Sequence, residues 1–171
     1  AIGRDAMYAN TTGAHNTAIG TNALDANTTG QYNTTLGTNS LSSNTTADHN
    51  TAIGRSALAT NTTGSKNQSI GSGSMYSNTT GSHNVGLGWN ALNANTTGAS
   101  NIGIGNYALV ANTTGGNNIA IGQNAFDDIT TGANNVAVGV NAGAKIILSS
   151  NTVAIGAYAF DANTTGSNNT V

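Results

Sequence analysis

Three histidines are the residues of this chain best suited to bind a metal, and they recur at a fixed spacing. His15, His49 and His83 are separated by 34 residues each. If every 17 residues form one coil of a stack, they lie two coils apart, roughly 9.6 Å at the strand spacing of a sheet. A zinc ligand lies within about 2.1 Å of its ion. We therefore expect solvated corner residues and no metal site; only a three-fold axis between chains would bring copies of one histidine together.

A second repeated motif is the Asn-Thr-Thr sequon, which can accept an N-linked glycan in a secreted protein. It begins at Asn10, Asn27, Asn44, Asn61, Asn78, Asn95, Asn112 and Asn163. Two interpretations are open: a column of glycans, or Asn and Thr used as corner residues. Glycans on successive coils would be only ~4.8 Å apart and would crowd one another, which favours corner residues.

Threonine and aromatic residues suggest two binding functions. Regular threonine columns suit ordered water, as on an ice-binding face, although adjacent threonines in a strand point to opposite faces, so that only one column would be exposed. Trp89, Tyr107 and Tyr158 could contribute to a carbohydrate-binding surface. Isolated exposed aromatics are also ordinary.

Other chemistry is not indicated by the sequence. There is no nucleophile elbow, phosphate loop or carboxylate pair at a plausible site, so we predict no enzyme, no catalytic residue and no cofactor. Charged residues make up 6% of the chain and the net charge is −2, which argues against a nucleic-acid partner. No apolar run reaches the 18 or more residues of a membrane span, so this segment should not insert into a membrane.

The feature that must position all of these residues is a 17-residue repeat running through the chain. Asn16–Tyr32 is one unit, and later units begin at Asn33, Asn50, Asn67 and so on without a slip of register. Numbered from the leading Asn, position 4 is aliphatic, position 5 is Gly and position 8 is small. Position 9 is large and apolar in every unit except at Gly143, and positions 12–15 read Asn-Thr-Thr-Gly with few exceptions. A period in this range indicates a repeat architecture.

Each unit favours short strands over helix, because Gly, Asn and Thr disfavour helix. Positions 2 to 5 alternate as a strand, with Gly at position 5 allowing a sharp bend. We expect position 4 to point inward, position 3 to point outward, and Asn ladders at positions 1 and 12. The predicted core ladder is Ile19, Leu36, Ile53, Ile70, Leu87, Ile104, Ile121, Val138 and Ile155. The fold class predicted is an all-β, parallel β-solenoid of about ten coils, forming a single domain over residues 1–171.

Two neighbouring units provide a test of in-register stacking. Asn at position 12 is replaced by Ile129 and Ile146, and the same units carry Asp128 and Lys145 at position 11. Stacked coils would place the two isoleucines together and the two opposite charges together.

The repeat also resembles a known family. Ser150-Asn151-Thr152-Val153-Ala154-Ile155-Gly156 is similar to the NSVAIG signature of YadA-like head repeats in trimeric autotransporter adhesins. The units that begin with Asn16-Thr17-Ala18-Ile19-Gly20 also resemble repeats of phage tail-fibre and similar surface-fibre proteins. The resemblance implies a left-handed β-roll, three chains per head, and an adhesive role outside the cell. The family's repeat is usually shorter than 17 residues, so the Asn-Thr-Thr-Gly corner is enlarged here.

Partners and location follow as expectations. An outward strip of small residues at position 3 would suit close approach of another copy, so we expect a homo-oligomer, with a trimer favoured over a head-to-tail fibre. The predicted function is a structural or adhesive segment of an extracellular fibre, on a cell surface or a virion, with host or surface glycans as further partners. The segment would be a fragment of a longer fibre. The alternative is an ice-binding or carbohydrate-binding solenoid.

Overall fold

The structure, a computed structural model, describes residues 1–162 and 165–171 and forms a parallel β-solenoid. Its nine strands are three residues long: β1 (Thr17–Ile19), β2 (Thr34–Leu36), β3 (Thr51–Ile53), β4 (Gln68–Ile70), β5 (Val85–Leu87), β6 (Ile102–Ile104), β7 (Ile119–Ile121), β8 (Val136–Val138) and β9 (Val153–Ile155). They lie side by side in chain order in one sheet. The described residues contain no helix, and none therefore that could cross a membrane. The predicted all-β solenoid class is confirmed.

Pairing between strands has the offset that the repeat predicts. Thr17 pairs with Thr34, and Thr34 pairs with Thr51, so each strand contacts its equivalent one unit later. Isolated bridges from Ile2 to Ile19 and from Val153 to Thr170 continue the ladder beyond the named strands. One 17-residue unit is therefore one coil.

Glycine at position 5 ends each strand for the reason expected. Gly54 has a φ of 129°, a region that side-chain-bearing residues rarely adopt. A Cβ there would also lie 2.6 Å from the carbonyl oxygen of Gly71 in the next coil. Both the dihedral angle and the close contact between coils therefore require glycine.

The remaining bends come from non-glycine residues in the left-handed region, which the sequence did not predict. Positions 7, 9 and 17 have positive φ in coil after coil, as in Asn22 at 53°, Leu24 at 55° and Tyr32 at 56°. The glycine of Asn-Thr-Thr-Gly, by contrast, does not have a positive φ. The left-handed corner that follows this motif is therefore made at position 17.

The core also differs from the prediction, because the strands face the opposite way. Position 3 points inward: Ala18, Ala52 and Ala120 are buried, whereas the residues of position 4 are exposed or only half-buried in every strand. The predicted core ladder is therefore wrong at all nine members: Ile19, Leu36, Ile53, Ile70, Leu87, Ile104, Ile121, Val138 and Ile155.

The physical reason for this orientation is the large residue at position 9. Leu24, Leu58 and Leu92 are fully buried and fill the interior opposite the strands. A Cβ built at Gly103, a position-3 residue, would lie 3.2 Å from Cγ of Leu92. The space behind the strand therefore accepts small side chains, of which Thr35 is the largest, and the larger aliphatic residue of position 4 faces outward.

Asparagine ladders complete the interior, as predicted. At position 12, Asn78 Nδ2 donates to Asn61 Oδ1 at 2.8 Å and to the Gly81 carbonyl at 2.9 Å. At position 1, Asn67 accepts the backbone N–H of Asn84 at 3.0 Å. These bonds satisfy amides and backbone groups that burial would otherwise leave without partners.

The predicted compensation between neighbouring coils is also present. Lys145 Nζ donates to Asp128 Oδ2 at 3.1 Å, and Ile129 and Ile146 are both fully buried in the same core cluster. The position-12 ladder therefore ends at Asn112, whose Oδ1 is buried and has no partner among the described residues.

Candidate functional site

The histidine column lies at position 17 and is partly a stack of rings. Tyr32 lies between His15 and His49, with ring centroids 4.9 Å away on each side and interplanar angles of 10° and 5°. The two histidines of the stack are thus separated by a phenol ring. In residues 1–162 and 165–171, no group of three His, Cys, Asp or Glu side chains is placed to hold a metal ion.

The sequon asparagines are structural residues, and the structure contradicts glycosylation of the folded chain at six of them. These six are fully buried: Asn27, Asn44, Asn61, Asn78, Asn95 and Asn112. Their Nδ2 atoms donate along the ladder, as Asn44 does to Asn27 Oδ1 at 2.8 Å. A glycan bonded to that nitrogen could not be accommodated. Asn10 is half-buried and makes the same local bond to the Gly13 carbonyl at 3.0 Å, while Asn163 lies outside the described residues.

The two threonine columns have different environments. At position 13 the hydroxyl is used within the protein: Thr28 Oγ1 donates to the Thr45 carbonyl at 3.0 Å, and later coils repeat this bond. At position 14 the threonines are exposed, and Leu148 interrupts their column once: Thr12, Thr29, Thr46, Thr63, Thr80, Thr97, Thr114, Thr131 and Thr165. One exposed column, not two, is therefore available to ordered water.

The three aromatics suggested for carbohydrate binding do not form one cluster. Trp89 and Tyr107 are neighbours with centroids 4.9 Å apart and planes inclined by 59°. Tyr158 lies further along the chain at the edge of a separate recess of about 500 Å³. Its side chain is 60% exposed.

This recess is a concave surface that the sequence did not predict. It is lined by Asn124, Asn141 and Tyr158 of position 7 and by Asp127 and Asp161 of position 10. Ala144, also at position 10, lies on the coil between the two aspartates. The signal available in the sequence was an alanine between two aspartates in one column.

The carboxyl group of Asp127 is incompletely solvated. Its Oδ1 is buried and has no partner among the described residues. Burial raises the pKa of Asp127 above its ordinary value, and the neighbouring negative charge of Asp128 raises it further, although Lys145 and nearby backbone N–H groups oppose the shift. One oxygen of this carboxyl group is therefore enclosed by the protein without a hydrogen-bond partner among the described residues.

Comparison with known proteins adds no assignment. No protein-family model matches the chain, and no curated protein or solved structure shows significant similarity to it. The function therefore has to be argued from the geometry.

Proposed function

We propose that this chain is a structural and adhesive segment of an extracellular fibre, and that it assembles with other copies of itself through the outer face of its sheet. The repeat gives a rod whose length grows with coil number, and the resemblance to adhesin heads and phage tail fibres suggests such a role. The observation that carries the proposal is the outward-facing apolar strip, defined as the side chains of positions 2 and 4 in strands β1 to β9.

The apolar strip is continuous and carries no charged residue. In β5 to β9 both outward positions are aliphatic, as in Ile102 and Ile104 of β6 or Val153 and Ile155 of β9. In β1 to β4 the aliphatic residue is paired with Thr or Gln. Leu36 is 47% exposed and Ile155 is 62% exposed. A contiguous apolar patch of this kind on a protein surface indicates an interaction site.

The dimensions of the strip determine how strong the association should be. Nine strands at ~4.8 Å and three residues at ~3.3 Å give a face of roughly 430 Å². A stable interface typically uses about 800 Å² per partner. The apolar strip would therefore form the centre of the interface between two copies. Residues of the neighbouring columns would form the periphery of that interface. Affinity should be moderate for this length of chain and should rise as coils are added.

Another copy of the chain is the favoured occupant, because a repeating partner matches a repeating surface. A second rod has the same ~4.8 Å rise, so its aliphatic residues can meet those of the first in every coil. The family resemblance favours three chains in one cross-section.

Sedimentation velocity over a range of concentrations, combined with solution scattering, would test this proposal. We expect mass above that of a monomer at about 100 μM, and a rod-shaped particle. Ile121→Lys places a charge in the strip and should shift the species to monomer with an unchanged circular dichroism spectrum. Thr97→Lys adds the same charge at an exposed position 14 and should leave the assembly intact. A monomeric wild type at every concentration, or equal assembly of both variants, would overturn the proposal.

The second candidate function is ice binding, which the exposed column of position-14 threonines favours. Its spacing is regular at ~4.8 Å, but the neighbouring position-13 hydroxyls are engaged in hydrogen bonds within the protein. Thermal hysteresis of the purified chain would measure this activity. Its loss in Thr80→Lys would support the function, and freezing without hysteresis would exclude it.

A further inference from the structure

The recess beside Tyr158 exists because one column changes residue size over three coils. At position 10, Asp127 and Asp161 are separated by Ala144. The two carboxyl groups are two coils apart, roughly 9.6 Å by the strand spacing. Ala144 also lines the recess, and its small side chain leaves the space between the two carboxyl groups open. A volume of about 500 Å³ lies in the range of ~300–1,000 Å³ that is usual for small-molecule sites.

The position-7 residues that line the recess supply planar polar groups and an aromatic ring. Asn124 Nδ2 donates to Asn141 Oδ1 at 3.0 Å, so the two amides are held in one orientation relative to each other. Tyr158 continues the same column in the next coil, with its ring largely in solvent. Amides, carboxyl groups and one exposed ring therefore converge on one concave surface.

The same combination occurs a second time, near the other end of the chain. Asp5 and Asn22 at position 7, together with Tyr8 and Asp25 at position 10, line a recess of about 380 Å³. Asp25 Oδ1 is again buried with no partner in the described chain. Burial, and to a smaller extent Asp5, raises the pKa of Asp25, although the backbone N–H groups of Asp25 and Ala26 oppose the shift. Asp25 and Asp127 are six coils apart, roughly 29 Å. The two recesses therefore combine the same residue types in the same two columns independently, although the tyrosine is at position 7 in one recess and at position 10 in the other.

We propose that the recess beside Tyr158 is a binding site for a neutral saccharide. The apolar face of a sugar ring stacks on the Tyr158 ring, while adjacent hydroxyl groups donate to the carboxyl group of Asp127 and exchange hydrogen bonds with the amides of Asn124 and Asn141. Hydrogen bonds to a carboxylate are stronger than those between neutral groups. The carboxyl groups of Asp127 and Asp161 that line the recess therefore favour a ligand rich in hydroxyl donors.

The charges of the residues that line the recess determine which saccharides are expected to bind. Asp127 and Asp161 carry two negative charges in the recess, and Lys145 at its margin is already paired with Asp128. Anionic sugars such as sialylated or sulfated glycans would be repelled, so neutral and amino sugars are the expected ligands. This site uses columns 7 and 10, not the apolar strip, and does not depend on the proposed self-association.

The test is a glycan array probed with the full chain, covering neutral, amino-sugar, sialylated and sulfated glycans, followed by titration calorimetry with the best neutral oligosaccharide. We expect neutral or amino-sugar glycans to bind and anionic ones not to bind. Tyr158→Ala should weaken binding by about tenfold, equivalent to ~1.4 kcal/mol. Tyr32→Ala, which removes an exposed tyrosine far from the recess, should change it by less than about twofold.

A second variant fills the site without removing a polar group. Ala144→Leu places a larger side chain among the residues that line the recess, and position 10 already accommodates Tyr76 and Val110 in other coils. The variant should fold and should abolish binding at the recess beside Tyr158, while the recess lined by Tyr8 and Asp25 is left unchanged. Absence of binding to every glycan, a preference for anionic glycans, or unchanged binding by both Tyr158→Ala and Ala144→Leu would each overturn the proposal.

Discussion

The position-12 asparagine ladder can be tested by making one substitution in its interior and the same substitution at its end. In the interior, Asn78 donates to Asn61 Oδ1 and accepts from Asn95 Nδ2, both at 2.8 Å. At the end, Asn112 donates to Asn95 Oδ1 at 2.8 Å, but its own Oδ1 has no partner in the described part of the chain because Ile129 follows it. Isoleucine is the residue that the protein itself uses at this position in two coils.

The magnitudes follow from counting the buried groups left without a partner. Asn78→Ile leaves Asn61 Oδ1 without its donor and one N–H of Asn95 without its acceptor. The Gly81 carbonyl keeps a bond from Asn67 at 2.8 Å. At about 1–3 kcal/mol for each orphaned group, Asn78→Ile should cost about 2–6 kcal/mol.

Asn112→Ile should cost much less for the same change of side chain. It leaves Asn95 Oδ1 without a donor but removes the oxygen of Asn112 that already had no partner. The Gly115 carbonyl keeps the bond from Asn101 at 2.8 Å, and the new side chain lies next to Ile129. The number of unpaired groups is unchanged, so the net effect should stay below about 2 kcal/mol.

The assay is urea denaturation followed by far-ultraviolet circular dichroism, with native-state hydrogen exchange to locate the weakened coils. Exchange is needed because repeat arrays can open a few coils at a time. We expect a clearly lower midpoint for Asn78→Ile and faster exchange in the coils around it, with Asn112→Ile close to the wild type. Equal midpoints for the two variants would refute the account based on unpaired groups.

Two further predictions concern a glycine and a carboxyl group. Gly54→Ala should lower the free energy of unfolding by about 1–3 kcal/mol or more, because the φ of 129° and the Gly71 carbonyl oxygen both oppose a Cβ. Gly116 does not have a positive φ, so Gly116→Ala should stay within about 1 kcal/mol of the wild type. Similar melting temperatures for the two variants would contradict this prediction. Asp127→Asn should raise the melting temperature at pH 7, because a pKa raised by folding means that the charged form opposes folding above that pKa. The higher melting temperature of the variant should disappear as the pH falls below the ordinary aspartate pKa of about 3.9. Thermal melts of both proteins from pH 3 to 7 measure this difference. A variant that melts below the wild type at pH 7 would contradict the prediction.

Much of the fold was predictable because the repeat reports the register directly. A residue and its equivalent 17 positions later must be neighbours if units stack, and this relation alone predicted the Asp128–Lys145 pair and the asparagine ladders. The left-handed residues at positions 7, 9 and 17 were not predictable in the same way. Leu, Asn, His and Tyr all occupy them, so no single residue type indicates the conformation.

The recess beside Tyr158 was less predictable, because it depends on which columns face each other across a bend. The sequence identified Tyr158 as an exposed aromatic but grouped it with Trp89 and Tyr107, which pack on each other elsewhere. Asp127, Asn124 and Ala144 were not assigned to one site, because residues of positions 7 and 10 are seen to share a recess only in the folded chain.

By itself, the sequence determined the period of the repeat, the presence of short β-strands in place of helices, and the neighbour of every residue along the stack. What only the tertiary structure decided was which side of each strand faces inward. Alternation places positions 3 and 4 on opposite faces, but it is equally satisfied with either one inside. The large position-9 residue, turned inward from the far side of the coil, leaves room behind the strand for Ala18 but not for Ile19. The ladder that the sequence suggested as the core is therefore the outer surface on which the proposed assembly depends.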